Sequence, residues 1–270
     1  MKLAGRVAIV TGTSPNIGGG IAEALAAEGA RVACVDRDSR NAEDCAAGIR
    51  KLGGEALAVT ADITDEAAVA ELASRVEREL GPVDVLVNNA AIFNQKGVLD
   101  MPLAEWSAQL AVILDGAFLC TQAVARQMVG RKRGGAIVCV ISTAGHQGQP
   151  GNVGYCTAKS GLLNFTRSVA MELARYGIRV NSLTPTATDP REGMDRAVRW
   201  GRPRPSERLV HAFESFRRGV PTQRLPAPSD YGRAVVYLAS DDARNITGTD
   251  LRIDSGAVAR YWAWNPSEGS

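Results

Sequence analysis

Val7-Ala8-Ile9-Val10-Thr11-Gly12-Thr13-Ser14-Pro15-Asn16-Ile17-Gly18-Gly19-Gly20 is the stretch whose reading decides the fold. Residues 7–10 are apolar and β-branched with no polar alternation, which predicts a strand buried on both faces. A turn rich in glycine follows, and residues 17–27 carry a helical pattern. Strand, glycine-rich turn and helix in that order let backbone N–H groups approach a pyrophosphate, aided by the helix N-terminus. The spacing is G-x-x-x-N-x-G and not G-x-G-x-x-G. Asparagine tolerates left-handed backbone better than most residues, so Asn16 can serve in such a turn. The bland alternative is a turn that binds nothing.

The rhythm continues outward from this unit. Short strand-like runs at 32–35, 56–60, 83–87, 136–141, 178–183 and, more weakly, 251–253 predict further strands. Helical patterns occupy 39–52, 65–80, 103–129 and 152–176 between them. Continuous apolar strands separated by helices imply an α/β fold: a single-domain, Rossmann-type, doubly wound parallel sheet of about seven strands with helices on both faces. The expected domain runs over 1–260, with no boundary inside the alternation and an aromatic tail at 261–270. One segment breaks the pattern. Residues 189–224 hold nine arginines against five acids (189, 192, 195, 207, 214), and an excursion of that size predicts a substrate lid. Its surplus of four positive charges reads either as an attractor for an anionic substrate or as a solvated face.

Composition narrows the function. Net charge is +2 and charged residues make up 22% of the 270, which excludes the whole-domain basic footprint of a nucleic-acid binder. No run reaches the ~18 uninterrupted apolar residues of a membrane span. The opening residues 1–5 offer no signal peptide, so a cytoplasmic protein is expected. Five cysteines without a C-x-x-C pair and only two histidines predict neither a disulfide framework nor a metal site.

Three further features carry chemistry. Asp36 ends the second predicted strand, where a carboxylate can accept hydrogen bonds from an adenosine ribose and repel a 2′-phosphate; Arg37 beside it could meet that phosphate instead. Asp36 could equally cap the next helix. Tyr155 and Lys159 stand four residues apart, hence on one helical face, where a cation lowers the phenol's pKa toward that of a usable base. Ser142 follows the fifth strand at the carboxyl edge of the sheet, although a local backbone hydrogen bond is a serine's default role.

In this order, with Asp62-Ile63 and Asn88-Asn89-Ala90-Ala91 at other strand ends, the sequence resembles the short-chain dehydrogenase/reductase family from Leu3 to about Ala259. The resemblance implies an NAD-dependent enzyme, with NADP less favoured, moving hydride between a secondary alcohol or ketone and the nicotinamide. Gly12, Asn16, Ile17 and Gly18 would hold the pyrophosphate and Asp36 the adenosine ribose, with Ser14 and Arg37 as further cofactor contacts. Asp62 and Ile63 would flank the adenine, Asn89 and Ala90 would line the cofactor path, and Pro185 and Thr188 would meet the carboxamide end. Ser142 would hold the substrate oxygen, Tyr155 would exchange its proton, and Lys159 would bind the nicotinamide ribose while tuning Tyr155. His146 and Gln147, just after Ser142, are candidate substrate contacts; Cys156 reads as a packing residue. The family also implies a homotetramer or homodimer packed through the helices at 103–129 and 152–176.

The chain departs from the family pattern in places. Ile113 stands where the family has an asparagine that anchors a water of the proton relay, and an isoleucine cannot hold that water. Pro185-Thr186 replaces Pro-Gly, Pro190 a threonine, and Asp254-Ser255-Gly256 an Asp-Gly-Gly. These motivate an alternative function, a dinucleotide-binding sensor or partner subunit with weak or no catalysis. An enoyl reductase on this fold would usually space its tyrosine and lysine more widely than four residues.

Overall fold

A computed structural model describes residues 1–261, so all of the expected tail except Tyr261 lies outside the described residues. Seven strands form one parallel sheet in the order β3-β2-β1-β4-β5-β6-β7. They are β1 (Val7–Thr11), β2 (Arg31–Asp36), β3 (Ala56–Thr60), β4 (Val83–Asn88), β5 (Gly135–Val140), β6 (Ile178–Pro185) and β7 (Asp250–Ile253). The first strand is buried throughout and shows why the run 7–10 lacks alternation. Val7 and Ile9 face one apolar layer with β4's Leu86, while Ala8 and Val10 face the other with α1's Ile21 and Leu25. With both faces covered, neither side of the strand can be polar.

The helices are α1 (Ile17–Ala27), α2 (Ser39–Lys51), α3 (Glu66–Leu80), α4 (Leu103–Leu110), α5 (Gly116–Arg131), α6 (Val153–Leu173), α7 (Pro190–Arg199), α8 (Arg208–Gly219) and α9 (Pro228–Ala239). Local chemistry sets several starts. Asp65 accepts from the N–H groups of Ala67 and Ala68 at the head of α3, and Asp38 from Arg40 N at the head of α2. Helix α9 was not legible as a separate element, because Gly232 sits at its middle. That glycine is needed: a Cβ there would lie 2.6 Å from Ala24 and 2.9 Å from Gly20 O on α1.

The helix expected over 103–129 is broken by a π-helical turn, Ala111–Asp115, with Ile113 at its centre and 1% exposed. Such turns often mark functional sites. Taken as one stretch, Leu103–Arg131 is long and apolar enough to cross a membrane by length and composition, which the test of uninterrupted runs overlooked. Its Ile113, Ala117, Cys120, Val124 and Met128 instead lie in the core against β4 and β5.

The strand order reverses direction between β1 and β4. In open α/β sheets the crevice for ligands opens at that point, beyond the carboxyl ends of the strands.

Candidate active site

The crevice between β1 and β4 holds a cavity of about 420 Å³, lined from Gly12, Ser14 and Asn16–Gly18 through Asp36, Arg37, Asp62 and Ile63 to Asn89, Ala90, Phe93 and Tyr155. Eleven of the residues singled out above as cofactor contacts therefore share one wall with the tyrosine. Two glycines make the turn possible. Gly12 has φ +74°, and a Cβ on it would lie 2.8 Å from Ala90 Cα. A Cβ on Gly18 would stand 2.0 Å from Gly12 O and 2.7 Å from Asn89 Nδ2. The left-handed residue is thus Gly12; Asn16 has φ −92° and does not supply it, contrary to the expectation for that asparagine.

Asn89 stitches the two strands at the crevice floor. Its Nδ2 donates to Thr11 O and Gly12 O, both at 2.9 Å, and its backbone N–H to Thr11 Oγ1 at 3.1 Å. At the far end Asp36 accepts from Asp38 N at 3.0 Å, while Asp38, not Asp36, caps α2. Burial raises the Asp36 carboxyl, opposed by hydrogen bonds from Asp38 and Asn41. Asp62 is satisfied by Thr64 N (2.9 Å) and Oγ1 (2.8 Å), which hold its carboxyl below the ordinary range.

Tyr155 and Lys159 lie one turn apart on α6. Lys159 is 2% exposed, and its Nζ donates to Val140 O at 2.6 Å. Burial depresses its pKa to about 8. Burial also pushes the Tyr155 phenol up, and a hydrogen bond from Ser142 draws it back in part. Desolvation therefore sets the direction of the shift in the free protein, and the lowering comes from Ser142, not from the neighbouring cation as expected. Ser142 performs its default role as well, accepting from Ala144 N at 3.1 Å at the head of a 3₁₀ turn. A free phenol held protonated beside a serine hydroxyl and an amine of tunable charge can give or take a proton at one substrate oxygen.

Several expected contacts lie elsewhere. His146 turns from the crevice: its Nε2 sits 3.0 Å from Thr184 Oγ1 and 3.2 Å from Asp250 Oδ2, tying β6 to β7. Gln147 is exposed and donates to Ala257 O at 3.3 Å. Thr188 is buried with its hydroxyl 3.3 Å from that of Tyr231, and Pro185 ends β6; neither lines the cavity. The sequence reading missed Phe93, whose ring meets Tyr155 edge-on at 5.8 Å while 66% exposed. The run Ala91-Ile92-Phe93 directly after β4 was the available signal, since chain leaving a central strand must cross the crevice mouth.

The arginine-rich excursion forms α7 and α8. Eight of its nine arginines (191, 196, 199, 202, 204, 217, 218 and 224) lie within ion-pair distance of a carboxylate of the chain itself. Most of the positive surplus is answered internally. Among the described residues no cluster of three or more His, Cys, Asp or Glu could hold a metal ion.

A family model described as enoyl-(acyl carrier protein) reductase matches residues 12–258. The 2,3-dihydro-2,3-dihydroxybenzoate dehydrogenase of Bacillus subtilis is 34% identical over 255 residues, covering 94% of this chain and 96% of that one. The chain is a short-chain dehydrogenase/reductase. Among solved structures, a short-chain type dehydrogenase/reductase from Mycobacterium marinum aligns with TM-score 0.84 at 32% identity, covering 96% of this chain and 97% of that one. A Beutenbergia cavernae structure described as NAD(P) dependent holds NADP at low occupancy; it aligns with TM-score 0.83 at 32% identity, over 96% of this chain and 99% of its own. This family member is thus an oxidoreductase by kinship, and its relatives are named dehydrogenases and reductases.

Proposed function

We propose that this dehydrogenase/reductase uses NAD to interconvert a secondary alcohol and its ketone, with Tyr155 as acid/base, Lys159 tuning it and Ser142 holding the substrate oxygen. The observation that carries the reading is the single cavity joining the glycine turn, Asp36 and Tyr155. The cradle fits a dinucleotide: the side-chain volume that Gly12 and Gly18 omit is what lets the turn and Asn89 close together. Gly12, Asn16, Ile17 and Gly18 would hold the pyrophosphate and Asp36 the adenosine ribose, and the bound nicotinamide would supply the hydride chemistry. In the reducing direction Tyr155, kept protonated by burial, hands its proton to the carbonyl oxygen. In the oxidising direction it takes the hydroxyl proton, and positive charge on Lys159 favours that step. Ser142 hydrogen-bonds the same oxygen throughout.

Asp36 at the cavity wall favours NAD, because its charge opposes a 2′-phosphate; the NADP seen in the Beutenbergia cavernae relative is the competing choice. The four-residue spacing of Tyr155 and Lys159 supports an alcohol or ketone substrate over an enoyl one. The sensor alternative draws on Ile113, which puts an apolar side chain at the π turn. We also propose a homo-oligomer packed through α5 and α6, whose Phe118 and Met171 are exposed, and a cytoplasmic location, supported by five free cysteines.

The test is Tyr155→Phe assayed with NAD and a panel of secondary alcohols and ketones. Turnover is expected to fall by at least about 10³-fold with NAD binding retained. Unchanged activity overturns the assignment of Tyr155, and NAD binding without turnover of any panel member in the wild type supports the sensor.

A further inference from the structure

Arg196 is the largest fully buried side chain among the described residues, 2% exposed, and it lies outside the cavity. It belongs to α7, at the root of the arginine-rich excursion, yet it reaches the glycine-rich turn. Its Nη1 donates to Pro15 O at 2.9 Å and its Nη2 to Glu192 Oε1 at 2.8 Å. Its Nε stands 3.0 Å from Glu23 Oε2 on α1 but off the hydrogen-bonding line, so Glu23 balances charge there without accepting a hydrogen bond. A buried guanidinium is costly unless it is paired and hydrogen-bonded; two carboxylates pair this one and both Nη atoms are hydrogen-bonded, while Nε is left with charge balance alone.

The helix around it is fitted to the turn. A Cβ on Gly193 would lie 3.2 Å from Pro15 O and 3.5 Å from Asn16 Cα. On the other side, a Cβ on Gly19 would meet Arg196 Cδ and Trp200 at 3.0 Å. Backbone of α7 therefore lies flush on backbone of the turn. The contact continues past the helix: Arg202 donates to Asp44 Oδ2 at 2.7 Å and to Asn41 Oδ1 at 2.9 Å, and Asn41 in turn hydrogen-bonds Asp36. Both ends of the crevice lean on one strap, residues 189–202.

The peptide group converts this contact into a functional one. The unit joining Pro15 to Asn16 is planar and trans, so its C=O and N–H point in opposite directions. Drawing the Pro15 carbonyl toward Arg196 aims the Asn16 N–H the other way, and Asn16 lines the cavity. We propose that Arg196 is a positioning residue for the dinucleotide: from outside the site it sets the peptide plane that presents the turn to the pyrophosphate. The proposal rests on the reading of the cavity as a dinucleotide site. It also gives the arginine surplus of this segment a role in holding the turn.

Three ligands separate the outcomes. NAD needs the turn, ADP-ribose needs it equally, and AMP is held mainly through the ribose end at Asp36. Dissociation constants are measured for wild type, Arg196→Met and Arg196→Lys, with melting temperature recorded for each. The lysine keeps the charge between Glu23 and Glu192 but lacks the fork that also serves Pro15, so it decides the matter if the methionine variant fails to fold. Loss of the charge-assisted hydrogen bond should weaken NAD and ADP-ribose by about tenfold or more. AMP affinity and kcat at saturating NAD should stay within about twofold. Equal weakening of all three ligands, or unchanged NAD affinity in Arg196→Lys, overturns the proposal. A wild type that binds none of them overturns the dinucleotide reading itself, a distinguishable result.

Discussion

The Lys159 ammonium stands 5.6 Å from the centre of the Tyr155 ring while its Nζ is committed to the Val140 carbonyl. The cation is thus anchored to the end of β5 and faces the phenol at a set distance. Burial opposes charge on both groups, raising the phenol and drawing the ammonium down to about 8, where a bound ligand can shift its protonation.

That arrangement predicts an unusual pH dependence of stability. Lys159 falls from 10.5 to about 8 on folding, so between those values the unfolded chain binds the extra proton and raising the pH favours the native state. Below about pH 8 both forms are charged and the cost of burying the ammonium is borne in full. Relative to Lys159→Met, the wild type should gain up to about 3 kcal/mol over this window. Denaturant unfolding of both proteins at pH 7.5 and 10 would check it; a constant difference would refute it.

Gly18→Ala should damage the glycine-rich turn directly. Its new methyl would stand 2.0 Å from Gly12 O, a backbone atom that cannot swing aside as a side chain can. The turn must open, at a stability cost of about 1–3 kcal/mol, and NAD affinity should drop about 100-fold or more. Calorimetric titration with NAD and a thermal melt would report the two effects separately.

Asp36→Ser should change the choice of cofactor. Removing the carboxylate takes away the repulsion of a 2′-phosphate and leaves Arg37 beside it in the cavity wall. The ratio of kcat/KM for NAD over NADP should fall by about tenfold or more. A wild type that already prefers NADP would contradict the NAD assignment.

His146→Ala separates a structural histidine from a substrate contact. Its imidazole bridges Thr184 and Asp250, which also hydrogen-bond each other, so truncation should cost about 1 kcal/mol through the lost contact. Substrate KM should stay within about threefold. A large rise in KM with unchanged stability would restore His146 to the substrate site.

The sequence by itself determined the sheet. Unbroken apolar runs such as 7–10 can only be buried on both faces, and the parallel doubly wound order follows from the helices between them. It also marked Gly12, Gly18, Asp36, Tyr155 and Lys159, since a close backbone turn, a strand-end carboxylate and an i, i+4 pair are local features that spacing reveals. Tertiary structure alone decided what depends on residues far apart in the chain. His146 follows Ser142 closely in sequence, yet its ring meets Asp250, more than a hundred positions later. Phe93 showed no periodic signal, and its meeting with Tyr155 of α6 arises only when the chain after β4 crosses the mouth of the crevice. The arginines of 189–224 counted as a surplus because their answering carboxylates include Glu23 and Asp44 on α1 and α2. Charge along a segment is a sum over neighbours in sequence, whereas the field a side chain feels is a sum over neighbours in space.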